Sequence, residues 1–353
     1  MSQTILVTGG AGFIGSHTCV ELLNAGNDVV ILDDFSNSHP ESLGRVREIT
    51  GKSVAVHAVD LRDRTGLSAV FDAHPIDAVI HFAAKKAVGE STQIPLEYFD
   101  INIGGTTNLL RTMNDHGVTR LVFSSSCSIY GDAPAEPLAE SAPAAPTNPY
   151  ALSKWICEQL LSEACRHLPA LSVIALRYFN PIGAHPSGRL GEDPLGVPYN
   201  VMPYLAQIAV GRLSELSVFG DDYDTGDGTA IRDYIHVVDV ADAHRVALEH
   251  LDDRTGFQVF NLGTGSGVSV LQLVAAFAAA CGKEIPYRIV GRRPGDVPSL
   301  VADPERVDRE WGWRTKRDLA QMCDDAWRFQ NQNPAGYVGV AAVSPDEVSG
   351  RES

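Results

Sequence analysis

A tyrosine and a lysine four residues apart, Tyr150 and Lys154, are the pair in this sequence best suited to acid–base chemistry. They stand in the run YALSKWICEQLL, and on a helix they lie on one face, one turn apart. A phenol with a pKa near about 10 is a poor base at neutral pH. An ammonium group within about 4 to 6 Å stabilises the phenolate and lowers that pKa. The spacing predicts a lysine-assisted tyrosine base, although an isolated pair of this kind is also common on ordinary amphipathic helices.

Three serines precede this pair at the end of a predicted strand. The strand covers residues 120–123 and opens into SSSCSIYGD, so the serine hydroxyls face the carboxyl edge of a sheet. They could donate to a ligand oxygen or to a catalytic partner, but serine-rich strand ends are also often local backbone caps. The loop over residues 132–149 is rich in proline and is not expected to form regular structure.

The elements that must position these residues begin with the stretch QTILVTGGAGFIGSH, which reads as strand, glycine turn and helix. Gly9 permits a tight turn, Gly12 lets backbone N–H groups approach a pyrophosphate, and Gly15 lets the helix pack close to the sheet. The helix, predicted from Phe13 to Leu23, presents free N–H groups and its positive dipole end to an anion. The order predicts a dinucleotide-binding unit.

An acidic residue at the end of the second predicted strand selects the dinucleotide. The strand runs from Val29 to Leu32 and is followed by Asp33, 18 residues after Gly15. A carboxylate there accepts hydrogen bonds from the adenosine ribose and repels a 2′-phosphate. The sequence therefore predicts NAD rather than NADP; the alternative is a structural glycine turn followed by a solvated aspartate.

Strands and helices alternate, which predicts an α/β fold: a doubly wound, Rossmann-type parallel sheet with a smaller α/β substrate-binding lobe. We expect residues 1–179 to form the NAD-binding domain, with some later segments returning to it. Residues 180–337 would form mainly the substrate-binding lobe, and residues 338–353 a mobile tail. Such sheets bind ligands where the strands end, at the topological switch point. The strand-end residues are Thr8, Asp33, Asp60, Phe82 and Ser124.

Several local features carry narrower predictions. A third strand is expected over residues 53–59 and a helix over residues 99–116. His81 lies within an apolar strand and is interpreted as a packed core histidine rather than a base. Lys86, just after that strand, is well placed to meet the nicotinamide ribose. The glycine-rich run NLGTGSGVS, residues 261–269, is interpreted as a turn leading to a helix cap rather than as a second dinucleotide site.

Composition excludes several classes of partner. Lys and Arg number 28 against 44 Asp and Glu, a formal charge of −16, which disfavours nucleic acid and anionic membranes. The six cysteines show no CxxC spacing, and no His/Cys group has the spacing of metal ligands. They are predicted to be reduced thiols without a metal. Without an apolar leader or a long apolar run, the sequence is expected to be that of a soluble, cytoplasmic protein.

Together these residues resemble the extended short-chain dehydrogenase/reductase family, with TGGAGFIG, Asp33, Ser126 and YALSK in the family's order. Further blocks, RYFNPIGAHPSG and DGTAIRDYIHV among them, are similar to the branch that epimerises UDP-sugars at C4. The similarity runs over about residues 3–337. It implies an NAD-dependent isomerase of galactose metabolism that interconverts UDP-galactose and UDP-glucose. It also implies a homodimer built from the helices after about Leu96 and after Tyr150.

The resemblance also implies the site residues. Tyr150, Lys154 and Ser126 would be catalytic. NAD contacts would come from Gly9, Gly12, Phe13, Ile14, Gly15, Asp33, Asp34, Phe35, Ser36, Asn37, Ser38, Asp60, Leu61, Phe82, Ala83, Ala84, Lys86, Tyr150, Lys154 and Phe179. UDP-sugar contacts would come from Ser126, Tyr178, Asn180, Asn200, Phe219, Arg232, Arg293, Asp296 and Leu300. In so acidic a protein, a diphosphate needs the bidentate donors that arginine supplies.

Three positions depart from the pattern of the best-known bacterial members. Ala84 and Ile101 stand where Gly and Asn are common near the nicotinamide. Leu300, in GDVPSLVAD, stands where a tyrosine commonly narrows the space beside the sugar 2-position. A smaller side chain there predicts some activity on UDP-GlcNAc and UDP-GalNAc.

Two alternative functions remain at this point. A nucleotide-sugar 4,6-dehydratase also begins with oxidation at C4, but it carries an Asp-Glu pair in the stretch that here reads SCS, residues 126–128. A non-catalytic NAD sensor could keep the cofactor fold, but it would have no need of both Tyr150 and Lys154.

Overall fold

The computed structural model describes residues 2–132, 137–196, 198–252, 254–293 and 296–337. The tail predicted to be mobile, residues 338–353, lies outside these ranges, as does part of the predicted proline-rich loop. Among the described residues, no helix is both long enough and apolar enough to cross a membrane.

Seven strands of the described chain form one parallel sheet in the order β3-β2-β1-β4-β5-β6-β10. The apolar residues of its inner strands β1, β2, β4 and β5 are buried on both faces, as in other parallel sheets covered by helices. The fold class predicted from the sequence is confirmed. The strands are β1 (Thr4–Thr8), β2 (Asp28–Leu32), β3 (Ala55–His57), β4 (Ala78–His81), β5 (Arg120–Ser124), β6 (Ser172–Tyr178) and β10 (Gly256–Leu262). The third strand is thus shorter than the predicted span 53–59.

Helices cover both faces of this sheet. One apolar cluster includes Leu22, Val46 and Leu248, and the other, across the sheet, includes Leu67, Leu109 and Leu161. The helices of the first face are α1 (Phe13–Asn24), α2 (Glu41–Thr50) and α9 (Val237–His250), and those of the second are α3 (Arg64–Ala73), α6 (Gly105–Asp115) and α7 (Pro149–His167). Two short helices, α4 (Val88–Gln93) and α5 (Pro95–Phe99), precede α6.

The strand order reverses at β1, which pairs with β2 on one side and with β4 on the other. The chain therefore leaves β1 and β4 in opposite directions, which opens a crevice between them at their carboxyl ends. This crevice is the predicted place for a dinucleotide.

The later elements form a smaller lobe with its own apolar cluster, which includes Leu205, Phe277 and Met322. Its strands are β7 (Asn180–Ile182), β8 (Leu216–Phe219), β9 (Ile231–His236), β11 (Gly267–Ser269), β12 (Tyr287–Val290) and β13 (Ser299–Leu300). Its helices include α8 (Val201–Ala209), α10 (Val270–Cys281) and α12 (Leu319–Gln332), while α11 (Glu305–Trp311) packs against β10. Residues 237–262 pack with the large sheet although they come late in the chain: α9 lies against α1, and β10 pairs with β6.

Candidate functional site

The glycine turn after β1 is closed by contacts that a side chain would block. A Cβ on Gly15 would lie 2.2 Å from the carbonyl oxygen of Gly9, and one on Gly9 would lie 2.7 Å from the backbone nitrogen of Ala83. Gly9 also has a φ of +69°. Helix α1 then begins without a side-chain cap and without an acidic residue in its first turn. Its N-terminal N–H groups are thus left for a ligand, and the turn fits the pyrophosphate of a dinucleotide.

Asp33 ties this turn to the predicted adenosine loop. Its buried carboxylate accepts hydrogen bonds from the backbone N–H of Ala11 and of Phe35, both at 2.9 Å, and from the Ser38 hydroxyl at 2.8 Å. Burial raises the pKa of this carboxyl, and the three donors act in the opposite direction. Phe35 has a φ of +57°, which is unusual for a residue other than glycine. Neighbouring Asp34 is exposed and accepts from Ser36.

The next strand ends bring the other predicted NAD residues to the same edge. Asp60 pairs with Arg62, which lowers the pKa of the carboxyl, and Leu61 is buried beside it. After β4, the Phe82 ring packs 4.6 Å from that of His244. His81 is buried between the hydroxyls of Thr8 and Thr106, at 2.7 and 3.0 Å. Burial lowers the pKa of His81 to about 3, so it is neutral, and its interpretation as a core histidine is confirmed.

Tyr150 and Lys154 lie in the first turn and a half of α7, whose N-cap Asn148 accepts a hydrogen bond from the N–H of Ala151. Both side chains are buried. The Lys154 ammonium donates to the carbonyl of Ser124 at 2.8 Å, and burial lowers its pKa to about 8. Helix α7 thus brings the predicted pair to the carboxyl end of β5.

The phenol of Tyr150 is too weak an acid in this environment to serve as a base at neutral pH. Burial raises the pKa of Tyr150 to about 12, and a hydrogen bond with Ser126 offsets only part of that effect. The described residues alone therefore keep the phenol protonated at neutral pH. A further positive charge, such as the predicted nicotinamide, is needed to produce the phenolate that the sequence predicts.

The serines at the end of β5 and directly after it make separate contacts. Ser126 accepts from the N–H of Ser128 at 3.2 Å and so begins a 3₁₀ turn, Cys127–Tyr130. The Ser124 hydroxyl lies 2.5 Å from the phenol of Tyr178. Phe179 is buried in a cluster with Cys127 and Leu300.

The predicted UDP-sugar residues fall into two groups. Arg293 donates to Asp296 at 2.9 Å and lies 4.5 Å over the ring of Phe219, and Arg232 lies 3.9 Å from the same carboxylate. Leu300 stands beside Arg232 in the pairing of β13 with β9. The second group, Asn180 and Asn200, stands at the start of β7 and at the N-cap of α8. Within the described part of the chain, the Oδ1 atom of Asn180 is buried and has no hydrogen-bond partner, which suits an acceptor for a ligand donor.

One positioning residue was missed in the sequence. The helix predicted over residues 99–116 is confirmed to residue 115, but its turn Asp100–Gly104, which joins α5 to α6, is π-helical. This turn directs the side chain of Asn102 to the backbone N–H of Lys85 at 2.8 Å and to the Ser153 hydroxyl at 2.9 Å. Asn102 thus links the loop after β4 to helix α7, which carries Tyr150 and Lys154, a contact that no local sequence pattern indicates.

The glycine-rich run at residues 261–269 binds a carboxylate of the protein itself. Asp233 accepts hydrogen bonds from the N–H groups of Thr264 and Gly265, at 2.9 and 3.0 Å. Ser269 caps α10 and forms a capping box with Gln272. The interpretation of this run as a structural turn and cap is confirmed.

Comparisons with known proteins agree with this geometry. The pattern of the NAD dependent epimerase/dehydratase family matches residues 5–263. The UDP-glucose 4-epimerase of Bacillus subtilis (strain 168) is 55% identical over 335 residues, which are 95% of this chain and 99% of that protein. A UDP-glucose 4-epimerase structure from Bifidobacterium longum, in complex with NAD⁺ and UDP, has a TM-score of 0.92 at 48% identity and covers 95% of this chain and 100% of its own. One from Stenotrophomonas maltophila, with bound NAD and formylated UDP-arabinopyranose, has a TM-score of 0.92 at 49% identity, covering 94% and 99%.

Proposed function

Because the chain belongs to the NAD dependent epimerase/dehydratase family, we propose that it interconverts UDP-glucose and UDP-galactose by inverting the sugar at C4. The observations that carry the proposal are the hydrogen bond between Tyr150 and Ser126 and that from Lys154 to the Ser124 carbonyl, both at the carboxyl end of β5 in the sheet whose first strand leads into the glycine turn. NAD, held by the glycine turn and Asp33, would supply reversible hydride transfer at C4 of the sugar.

The chain's own residues transfer the proton of the sugar 4-hydroxyl. Tyr150, as phenolate, takes that proton at its hydroxyl oxygen and later gives it back, while the Ser126 hydroxyl positions or relays it. The Lys154 ammonium is buried and donates to the Ser124 carbonyl. In the proposal it holds the nicotinamide ribose and, one helical turn from Tyr150, favours the phenolate. A general base of this kind contributes about 10²- to 10⁴-fold to the rate.

The remaining predicted residues would hold the two ligands. NAD would lie with its pyrophosphate on the turn at Gly9 to Gly15 and its adenosine ribose near Asp33. The UDP diphosphate would meet Arg232 and Arg293, whose guanidinium groups are paired here only with Asp296 and with backbone among the described partners. Burial in this crevice also protects a reactive 4-ketosugar from water.

The serine run and the buried pair weigh against the two alternatives. In a dehydratase, elimination of water needs a further acid/base pair, and residues 126–128 offer only hydroxyl and thiol groups. A passive NAD sensor would not need a buried ammonium and a buried phenol at the end of the same strand, since burial of each group in its charged form costs free energy.

A second substrate class is proposed for the same site. Leu300 packs against the buried cluster that contains Phe179 and Cys127. It stands where the resemblance implies a larger tyrosine. We propose that the space beside the sugar 2-position admits an N-acetyl group, so that UDP-GlcNAc and UDP-GalNAc are also interconverted.

We further propose that the protein acts as a homodimer in the cytoplasm. Exposed apolar side chains cluster on the adjoining helices α4, α5 and α7, and Leu96 is 80% exposed. Such a face is well suited to a second copy of the chain. All six cysteines are free thiols, which agrees with a reducing compartment.

The experiment that tests the function uses the purified protein without added NAD. It is incubated separately with UDP-galactose and with UDP-GalNAc, and the C4 epimers are followed by NMR. Conversion of UDP-galactose supports both the reaction and a retained cofactor. Absence of conversion even with NAD supplied contradicts the proposal and favours the dehydratase or the sensor.

A further inference from the structure

Glu192, between β7 and α8, joins two residues that are expected to contact different ligands. Its Oε1 atom accepts a hydrogen bond from the Lys86 ammonium at 3.1 Å and another from the Asn200 side-chain amide at 2.9 Å. Lys86 follows β4 on the cofactor side, while Asn200 precedes α8 in the smaller lobe. One carboxylate oxygen thus bridges the two halves of the proposed site.

The second oxygen of this carboxylate, Oε2, differs from the first in its hydrogen bonding. The Oε2 atom of Glu192 is buried and has no hydrogen-bond partner among the residues that the structure describes, and the whole side chain is only 9% exposed. Buried carboxylate oxygens are normally satisfied, because an unpaired one loses its hydration without compensation. Because Lys86 and Asn200, which share the first oxygen, are both predicted to contact ligands, a ligand is the natural source of the missing donor.

Neighbouring residues hold the carboxylate in place. The backbone of Gly191 exchanges hydrogen bonds with the phenol of Tyr337, at 3.0 and 3.2 Å. Asp193 accepts from the N–H of Tyr337 at 2.6 Å and lies 3.5 Å from the His39 ring. With both of its neighbours anchored, Glu192 is presented from a fixed segment rather than from a freely moving loop.

We propose that Oε2 of Glu192 accepts a hydrogen bond from a sugar hydroxyl of the bound ligand, an inference that rests on the proposed function. Phosphate groups have no hydrogen to donate to a carboxylate at neutral pH, whereas sugars carry several hydroxyls. The hydroxyl belongs either to the hexose of the UDP-sugar, near Asn200, or to the nicotinamide ribose, near Lys86. The ammonium of Lys86 has three donors, so it can hold Glu192 and a ligand together.

The test compares Glu192→Gln with the unsubstituted protein, each carrying the NAD with which it purifies. Glutamine keeps the size of the side chain and a carbonyl oxygen for Lys86 and Asn200, but it removes the negative charge and the second acceptor. Dissociation constants for UDP and for UDP-glucose are measured by calorimetry, and the NAD retained after dialysis is measured after release by denaturation. A hydrogen bond to a charged group corresponds to about a 10-fold or larger effect.

If the hexose is the donor, UDP-glucose binds at least about 10-fold more weakly while UDP binding and NAD content stay unchanged. If the ribose is the donor, NAD content falls while UDP binding stays unchanged. The inference is overturned if UDP-glucose binding and NAD content are both unchanged, or if UDP and UDP-glucose lose affinity equally.

The matched control is Glu310→Gln, which removes a partly buried carboxylate that pairs with Arg306 away from the site. If the unsubstituted protein itself fails to bind UDP-glucose, the proposed function is overturned as well. If only the role of Glu192 is wrong, the unsubstituted protein still binds UDP-glucose.

Discussion

Tyr150 is the residue on which the proton chemistry of the proposed reaction depends. Its phenol is buried, and its pKa of about 12 would make it inactive as a base without a nearby positive charge. Replacing Tyr150 with Phe removes the hydroxyl and leaves the ring in place, so turnover of UDP-galactose should fall by about 10²-fold or more. NMR rates test this, and calorimetry should show UDP binding unchanged. Tyr287→Phe, on the exposed strand β12, is the control. A near-normal rate for Tyr150→Phe would refute the role.

Lys154 makes a separate prediction through the pH dependence of stability. Burial lowers the pKa of Lys154 from 10.5 to about 8 in the folded protein, so between these values the unfolded chain binds more protons. Stability from this group therefore rises with pH over that window, and below pH 8 the buried ammonium costs on the order of 3 kcal/mol.

The variant Lys154→Met does not titrate and should be more stable than the unsubstituted protein at pH 7. Its advantage in free energy of unfolding should shrink as the pH rises from 8 towards 10.5. Urea denaturation of the NAD-free proteins at pH 7 and at pH 10 measures the difference. An advantage that stays constant or grows with pH would contradict the lowered pKa.

Leu300 determines the proposed second substrate class. Replacing it with Tyr fills the space beside Phe179 and Cys127, so the ratio of UDP-GalNAc to UDP-galactose turnover should fall by about 10-fold or more, in the range of a lost apolar pocket. The two NMR rates give the ratio. Leu138→Met, a nearly volume-conserving change in the same cluster, is the control. An unchanged ratio in Leu300→Tyr would contradict the proposal.

Among the elements, the turn from β1 to α1 has a strict steric requirement. In Gly15→Ala, the new Cβ would meet the Gly9 carbonyl at 2.2 Å, and the turn must open to relieve the contact. The pyrophosphate N–H groups then shift, so the fraction of chains that retain NAD after dialysis should fall severalfold, and the melting temperature should drop. Gly89→Ala on α4 meets nothing within 4 Å and should leave NAD retention unchanged. Full retention in Gly15→Ala would argue against this turn as the pyrophosphate site.

The elements also explain which features the sequence could predict. The strand, glycine turn and helix at residues 4–24 depend on neighbouring residues, so their pattern is visible in the sequence. Asn102 reaches Ser153, 51 residues away, and Lys86 reaches Glu192, 106 residues away, and no local pattern reports such contacts. Strand β13 has only two residues, too few to show a period. The π-helical turn at residues 100–104 changes the direction of Asn102 without interrupting a helical composition.

Across the whole molecule, charge and architecture act together at one crevice. The large sheet brings the glycine turn, Asp33 and Lys154 to its carboxyl edge, and the smaller lobe brings Arg232 and Arg293. In a protein with a net charge of −16, these arginines give a local positive region in a field that otherwise repels a nucleotide diphosphate. Binding of UDP-sugars should therefore depend on these side chains rather than on the general charge of the surface.

The apolar face formed by α4, α5 and α7 predicts the oligomeric state. A Leu96 side chain that is 80% exposed is costly in water but is well placed to be buried against a second copy. Replacing Leu96 with Asp would place a charge in that interface, which should convert a dimer into monomers at micromolar concentration, because an unpaired buried charge is strongly unfavourable. Sedimentation velocity measures the change. Ile289→Asp, at an exposed apolar residue of β12 outside this face, should leave the dimer intact. If the unsubstituted protein is a monomer, or if Leu96→Asp remains dimeric, this face is not the interface.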